Sequence, residues 1–203
     1  NTVFAPGVPD VSEFPFAQWL ESLQLASRRV TPRMLSYGQG PGLPVLREAL
    51  CEHLALSRGV LCQPQDILIT AGTTDSLLLC ASLFAEPGDG APVDEAGLDP
   101  ARMRCTAPIR LLYCTPCRQH PLGCALSPAR RAMLLDWARR HGALLVEDDY
   151  DSEFASTGTP PAPMRASTGG ESVVMRVFPS RHTSSSRGGL GLVTTSATPC
   201  LKL

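Results

Sequence analysis

A cluster of acidic residues follows an apolar segment in the second half of the chain. Leu144-Leu145-Val146 predicts a short buried strand, and Glu147-Asp148-Asp149-Tyr150-Asp151 comes directly after it. Carboxylates at the end of a strand can bind a divalent cation, can face a cationic group of a cofactor, or can form a solvated acidic turn. These residues alone leave all three interpretations open.

Two further segments carry residues suited to binding an anion. Gly72-Thr73-Thr74 lies between a predicted strand and a predicted helix, where backbone N–H groups, the positive helix end and two hydroxyls favour a phosphate. Arg187 follows the hydroxyl-rich segment 183–186 and could clamp a phosphate. Each signal is weak alone, because many strand-to-helix turns contain Gly and Thr and most arginines lie on the protein surface.

The pattern of apolar segments predicts the elements that position these residues. Strands are expected at 67–70, 109–114, 144–146, 173–175 and 190–193, and helices around 19–25, 44–58, 77–84 and 128–141. This alternation predicts an α/β protein with three layers, α/β/α, around a mainly parallel sheet. Ligands of such sheets bind beyond the carboxyl ends of the strands, where the polar segments after Thr70, Cys114 and Val146 fall.

Composition and charge exclude several classes of function. The 203 residues are 43% hydrophobic and carry a formal net charge of −1, which gives no basis for binding nucleic acid or a membrane surface. No apolar run is long enough to cross a bilayer and no leader pattern opens the sequence, so a cytoplasmic location is expected. Cys114 and Cys117 form a C-x-x-C pair without a second pair at zinc-binding spacing, so we expect buried thiols and no metal site.

Several motifs together resemble one family. Tyr37-Gly38-x-x-x-Gly42-x-x-x-Leu46-Arg47-Glu48-Ala49 and Ile67-x-Ile69-Thr70-x-Gly72 are similar to the large domain of fold-type-I pyridoxal-phosphate (PLP) aminotransferases. Thr115-Pro116-Cys117-Arg118-Gln119-His120-Pro121-Leu122-Gly123 and Val146-Glu147-Asp148-Asp149-Tyr150-Asp151-Ser152-Glu153-Phe154 narrow the resemblance to the MocR subgroup of GntR-type transcriptional regulators. The resemblance covers most of the chain.

The resemblance implies a role for each candidate residue. Gly72-Thr73-Thr74 and Arg187 would bind the PLP phosphate, and Tyr37 would reach the phosphate of a neighbouring subunit. Asp148 would pair with the pyridine nitrogen and keep it protonated, and Tyr150 would contact the phenolic oxygen of the ring. Because fold-type-I sites are built across a subunit interface, the resemblance also implies a homodimer.

The chain departs from the family where the covalent anchor of the cofactor is expected. Its only lysine is Lys202, and Ser180 falls at the position expected for the Schiff-base lysine, followed by Arg181. Neither a hydroxyl nor a permanently protonated guanidinium forms an imine with the PLP aldehyde. We therefore assign no catalytic residue, and we expect any PLP to bind weakly and without a covalent bond.

Segments typical of the family are also expected to be missing. The stretch around 89–92 is too short for a strand, a helix and the aromatic residue that stacks on the ring, and the chain ends soon after Val193, before a small C-terminal domain. The N-terminal DNA-binding domain of the regulators is not expected in this sequence either. We predict an N-terminal arm and helix at 1–36 and a partial PLP-transferase-like large domain at 37–203.

These features favour one function over its alternatives. The favoured function is a non-catalytic domain of a MocR/GntR-type regulator that dimerises and binds an amino-acid or PLP effector, with DNA bound only through a separate N-terminal domain. One alternative is an aminotransferase that moves an amino group between an amino acid and a 2-oxo acid through PLP. Another is an interaction scaffold without a cofactor. Metal binding at the acidic cluster is the least favoured, because the resemblance accounts for those carboxylates.

Overall fold

The computed structural model describes residues 12, 14–38, 40–90, 107–119, 122–150, 152, 159–168, 170–177 and 191–194. Its helices are α1 (Phe16–Ser27), α2 (Pro44–Arg58), α3 (Thr73–Phe84) and α4 (Pro128–His141). Its strands are β1 (Ile67–Thr70), β2 (Leu111–Cys114), β3 (Leu144–Asp149), β4 (Val173–Val177) and β5 (Gly191–Thr194). The predicted positions Asp151, Ser180, Arg181, Arg187 and Lys202, and the short stretch at 91–92, lie outside the described residues.

The ends of α2 and α4 follow from their local sequence. Each helix has proline in its first turn, where the missing N–H is not needed. Each is followed by a glycine in the left-handed conformation, Gly59 at φ 66° and Gly142 at φ 64°, which glycine adopts without a Cβ penalty. The Ser127 hydroxyl also caps α4 by accepting a hydrogen bond from the Arg130 backbone N–H at 3.3 Å.

The sheet has the strand order β1-β5-β4-β3-β2. β2, β3 and β4 pair in parallel, whereas β5 is antiparallel to both β4 and β1. Because two antiparallel steps restore the direction, β1 runs the same way as β2, β3 and β4. The predicted mainly parallel sheet is confirmed, and four strands deliver their carboxyl ends to the same edge.

Helices cover both faces of the sheet, as the predicted α/β/α arrangement requires. Alternate strand residues point to opposite faces, which divides the core into separate clusters. One face packs against α3 through Leu68, Leu111, Tyr113, Val146 and Val174. The other face packs against α4 and α2, through a cluster that contains Leu112, Leu145 and Leu134 and another that contains Ile67, Met175 and Leu54.

Two strands extend further than predicted. The residues Glu147, Asp148 and Asp149 belong to β3 itself, because its pairing with β4 continues to the last of them. β4 likewise continues past Met175 to Val177, with Arg176 buried inside it. Charged residues ordinarily end a buried strand, so the sequence pattern stops short where buried charges have partners inside the fold.

α1 is apolar yet has no buried residue among those that the structure describes. Phe16, Trp19, Leu20 and Leu23 are each at least half exposed. In the described part of the chain, no helix combines the length and the apolar character needed to cross a membrane.

Candidate functional site

The amino end of α3 presents backbone donors at the carboxyl end of β1. Gly72 has φ 153° and ψ −171°, a combination essentially restricted to glycine, and it turns the chain from the strand into the helix at Thr73. The first N–H groups of an α-helix have no acceptor within the helix, and the helix dipole adds a partial positive charge there. The predicted segment Gly72-Thr73-Thr74 therefore lies where backbone donors suit an anion, and its phosphate contact stays a prediction.

Side-chain hydrogen bonds fix this turn against β1. The buried Thr70 hydroxyl lies 2.7 Å from the Ser76 hydroxyl, which also donates to the Gly72 carbonyl at 3.1 Å. The carboxylate of Asp75, in the first turn of α3, accepts a hydrogen bond from the Ala71 N–H at 2.9 Å. The turn is thus positioned by its own side chains, before any ligand binds.

Asp148 lies on the α3 face of the sheet, near the carboxyl end of β3. It is 4% exposed, and its Oδ2 accepts a 2.6 Å hydrogen bond from the Tyr113 hydroxyl on β2. Its Oδ1 forms an ion pair with Nη2 of Arg176, its direct register partner on β4. Both carboxylate oxygens therefore have a partner inside the protein.

Burial and pairing shift the pKa of Asp148 in opposite directions. Burial raises the pKa of Asp148 above its ordinary value, while the Arg176 guanidinium and the Tyr113 hydroxyl pull it down. Burial raises the pKa of Tyr113, and the neighbouring charge of Asp148 raises it further. The phenol therefore keeps its proton and donates a hydrogen bond to the carboxylate. The trio is a protonated phenol, a carboxylate and a guanidinium.

A second buried ion pair lies on the opposite face of the sheet. Nε of Arg58, at the end of α2, donates to Asp149 Oδ2 at 2.7 Å, and both side chains are almost fully buried. Nη2 of Arg58 also donates to the Pro161 carbonyl at 3.1 Å, and the Ser152 hydroxyl donates to Asp149 at 2.8 Å. This pair ties α2 to the end of β3 and to the segment around Pro161.

Glu147 is the third buried acid of β3 and serves a structural role. It is fully buried, and its two oxygens accept the backbone N–H groups of Met164 at 2.9 Å and Arg165 at 3.0 Å. Burial raises the pKa of Glu147 to about 7, although the two N–H donors oppose that shift. The acidic cluster thus separates into three carboxylates with different partners.

The cysteine pair behaves as the sequence predicts for buried thiols. Cys114 and Cys117 are both buried and neither forms a disulfide, and burial raises the pKa of Cys117 to about 11. Such a thiol is protonated at neutral pH and reacts slowly. Among the described residues, no group of three or more His, Cys, Asp or Glu side chains is arranged to hold a metal ion.

The remaining predicted residues fall in two groups. Tyr150 follows β3 and is half-buried, and Tyr37 is fully exposed, so its predicted contact with a neighbouring subunit stays a prediction. Ser180 and Arg187 lie outside the described residues. Arg176 was missed by the sequence reasoning, although an arginine inside the apolar run Val173–Val177 signals a buried anionic partner.

Comparison with known proteins places these features in context. The chain is 32% identical over 199 residues to the probable rhizopine catabolism regulatory protein MocR of Rhizobium meliloti, covering 86% of this chain and 40% of that protein. It is 35% identical over 180 residues to the uncharacterized HTH-type transcriptional regulator YhdI of Bacillus subtilis, covering 77% of this chain and 38% of that protein. It is 29% identical over 199 residues to the pyridoxine biosynthesis regulator PdxR of Corynebacterium glutamicum, covering 87% of this chain and 43% of that protein.

Solved structures agree on the fold. An archaeal alanine:glyoxylate aminotransferase superposes with a TM-score of 0.80 at 22% identity, covering 96% of this chain and 55% of that one. The BacF structure from Bacillus subtilis gives a TM-score of 0.78 at 18% identity, covering 95% and 55%. No family model matches the chain. The chain spans about two fifths of the length of the regulators and just over half that of the aminotransferases.

Proposed function

We propose that this chain, which belongs with the aminotransferase-like domains of MocR-type regulators, is a non-catalytic effector domain that binds PLP without a covalent bond. Its regulator relatives establish the family, and its superposition on aminotransferases establishes the fold. DNA binding is not assigned to the described fold, since the HTH-type names of the relatives suggest that a separate domain binds DNA in those proteins. The effector is PLP itself or an amino acid that binds next to it.

One observation carries the proposal. The anion-binding turn at Gly72-Thr73-Thr74 and the carboxylate of Asp148 lie at the same edge of the sheet, separated by β5 and β4, while the sequence has no lysine except Lys202. A phosphate at the turn and a ring near Asp148 would use both features. Ser180, at the position expected for the Schiff-base lysine, offers no amine nucleophile for the PLP aldehyde.

The described residues fit one end of PLP better than the other. The backbone donors after Gly72 suit the phosphate, and the α3 dipole favours its negative charge. At the ring end, Asp148 is present but already paired with Arg176 and Tyr113. The fit therefore supports phosphate-led binding of modest affinity.

When bound, PLP supplies an aldehyde and an electron-accepting ring. In the proposal, Thr73 and Thr74 add hydroxyl donors to the phosphate turn and Arg187 neutralises the phosphate. Tyr150 orients the ring through its phenolic oxygen. These residues bind and orient a ligand, and none of them transfers an amino group.

Homodimerisation is the second part of the proposal. α1 exposes Phe16, Trp19, Leu20 and Leu23, and the nearby Tyr37 is fully exposed, so this end of the chain carries apolar surface that a second copy could bury. Sedimentation velocity should give a dimer at micromolar concentration. A species that stays monomeric throughout the concentration range would contradict this part of the proposal.

A PLP titration tests the binding proposal. We expect saturable binding followed by absorbance, and no pyridoxyl-modified lysine after borohydride reduction and peptide mapping. Modification of Lys202 would instead revive the aminotransferase alternative. A failure to bind at millimolar PLP would leave the interaction scaffold as the better description.

Variants of α3 sharpen this test. Thr74→Val should weaken PLP binding by about tenfold, because a hydrogen bond to a charged group contributes roughly 1.5–3 kcal/mol. Ser82→Ala is the control, since its hydroxyl bonds only within the same helix, to the Leu78 carbonyl at 2.7 Å. Equal losses in both variants would mean that the helix, and not the phosphate turn, had been disturbed.

A further inference from the structure

We infer that Arg176 supplies, from within the chain, the cation that a protonated pyridine ring would otherwise bring to Asp148, so that the site selects phosphate ligands whose ring carries no protonated nitrogen. This assignment, which rests on the proposed function, makes Arg176 the residue that sets the ring specificity of the site.

The geometry of the sheet holds the two residues together. Asp148 and Arg176 are register partners on the parallel strands β3 and β4, and they project from the same face. Asp148 is 4% exposed and Arg176 is 2% exposed. Nη2 of Arg176 pairs with Oδ1 of Asp148, and the Tyr113 hydroxyl takes Oδ2 at 2.6 Å. The buried carboxylate therefore already faces one cation and one neutral donor supplied by the chain itself.

Charge balance explains the expected selectivity. One carboxylate and one guanidinium leave the buried pair neutral, and a guanidinium does not give up its proton. A pyridinium placed beside them would add an uncompensated positive charge to a buried site, which is strongly unfavourable. A pyridine without its proton adds no charge and needs no counter-ion.

This pairing also removes the electron-accepting property that the family draws from its aspartate. A pyridine ring accepts electrons well when its nitrogen is protonated, and Asp148 cannot maintain that proton while it pairs with Arg176. The chain would therefore be a poor transaminase even if an amine reached the site. Ser180 at the expected lysine position and Arg176 beside Asp148 are independent changes with the same consequence.

A comparison of PLP with its carbocyclic analogue, in which C–H replaces the ring nitrogen, tests the assignment. The unmodified protein should bind the two ligands with dissociation constants within about threefold of each other. Arg176→Met should bind PLP about 10- to 100-fold more tightly than the analogue, which corresponds to roughly 1.4–2.8 kcal/mol. Arg139→Met, at an exposed ion pair on α4, is the control and should leave the ratio unchanged.

The outcomes separate this inference from the proposed function. An unmodified protein that already prefers PLP by tenfold or more would overturn the role of Arg176. Weaker PLP binding in Arg176→Met would also overturn it, because Arg176 would then be a direct contact of the ligand. If the unmodified protein binds neither ligand, the proposed function fails, whereas PLP binding gained by Arg176→Met would still support the inference.

A measurement on the unmodified protein avoids dependence on a variant that fails to fold. PLP labelled with ¹⁵N in the ring reports the protonation state of that nitrogen through its chemical shift. We expect the shift of an unprotonated pyridine in the bound state at neutral pH. The shift of a pyridinium would overturn the inference.

Discussion

Removal of the Arg58 guanidinium should destabilise the fold more than most substitutions. Arg58 donates to Asp149 at 2.7 Å, to the Pro161 carbonyl at 3.1 Å and to Cys117 Sγ at 3.4 Å, with its side chain 5% exposed and that of Asp149 fully buried. Arg58→Met keeps much of the apolar stem but leaves the carboxylate buried, with the Ser152 hydroxyl as a neutral donor.

The expected magnitude follows from that burial. Breaking a buried ion pair by removing one partner lowers the free energy of unfolding by about 3–5 kcal/mol. Because domains are typically stable by only about 5–15 kcal/mol, this loss is a large share of the total. Urea denaturation followed by the fluorescence of the buried Trp137 measures it directly.

The matched control is Arg139→Met. Arg139 pairs with Asp136 at 2.7 Å, but both side chains are largely exposed, at 67% and 44%. Water replaces such a contact, so the urea midpoint should not change measurably. The double variant Arg58→Met/Asp149→Asn should recover at least ~1 kcal/mol of the loss, because no unpaired charge remains. A loss below about 1 kcal/mol in Arg58→Met alone would refute this account of the pair.

Two further predictions concern backbone packing and pH. Gly42→Ala should lower the urea midpoint strongly, because Gly42 has φ 101° and a Cβ there would lie 2.5 Å from Cγ1 of Ile69. An unchanged urea midpoint would contradict this close approach between Gly42 and Ile69. Glu147 keeps its proton to about pH 7 in the fold, so its contribution to stability is complete below its ordinary pKa of 4.5 and is lost as pH rises through about 7. Glu147→Gln should therefore flatten the fall in stability between about pH 5 and about pH 8, and an equal fall in both proteins would argue against a buried protonated acid.

Local sequence was sufficient to predict the elements that position the site. The apolar runs before Thr70 and Glu147 predict β1 and β3, and Ser127-Pro128 predicts the start of α4, because caps and short apolar runs act through near neighbours in sequence. The turn at Gly72 could be predicted for the same reason, since a strand, a glycine and a helix follow one another directly.

The partners of the acidic residues could not be predicted in this way. Asp148 pairs with Arg176, and Asp149 pairs with Arg58, which is 91 residues away in sequence. A pattern of residue types cannot decide which distant cation meets which acid, because strand register and helix position set that choice. The sequence resemblance also treated Asp148 as available to a cofactor, whereas the fold already neutralises it.

The position of β5 has a consequence for the order in which the chain is made. β5 pairs on one side with β1 and on the other with β4, so within the described part of the chain residues 67–70 have no strand partner until residues 191–194 emerge from the ribosome. The parallel strands β2, β3 and β4 pair with one another and need only earlier segments to assemble. Among the described strands β1 therefore joins the sheet last, and the turn at Gly72 takes its place at the carboxyl edge only once β5 has formed.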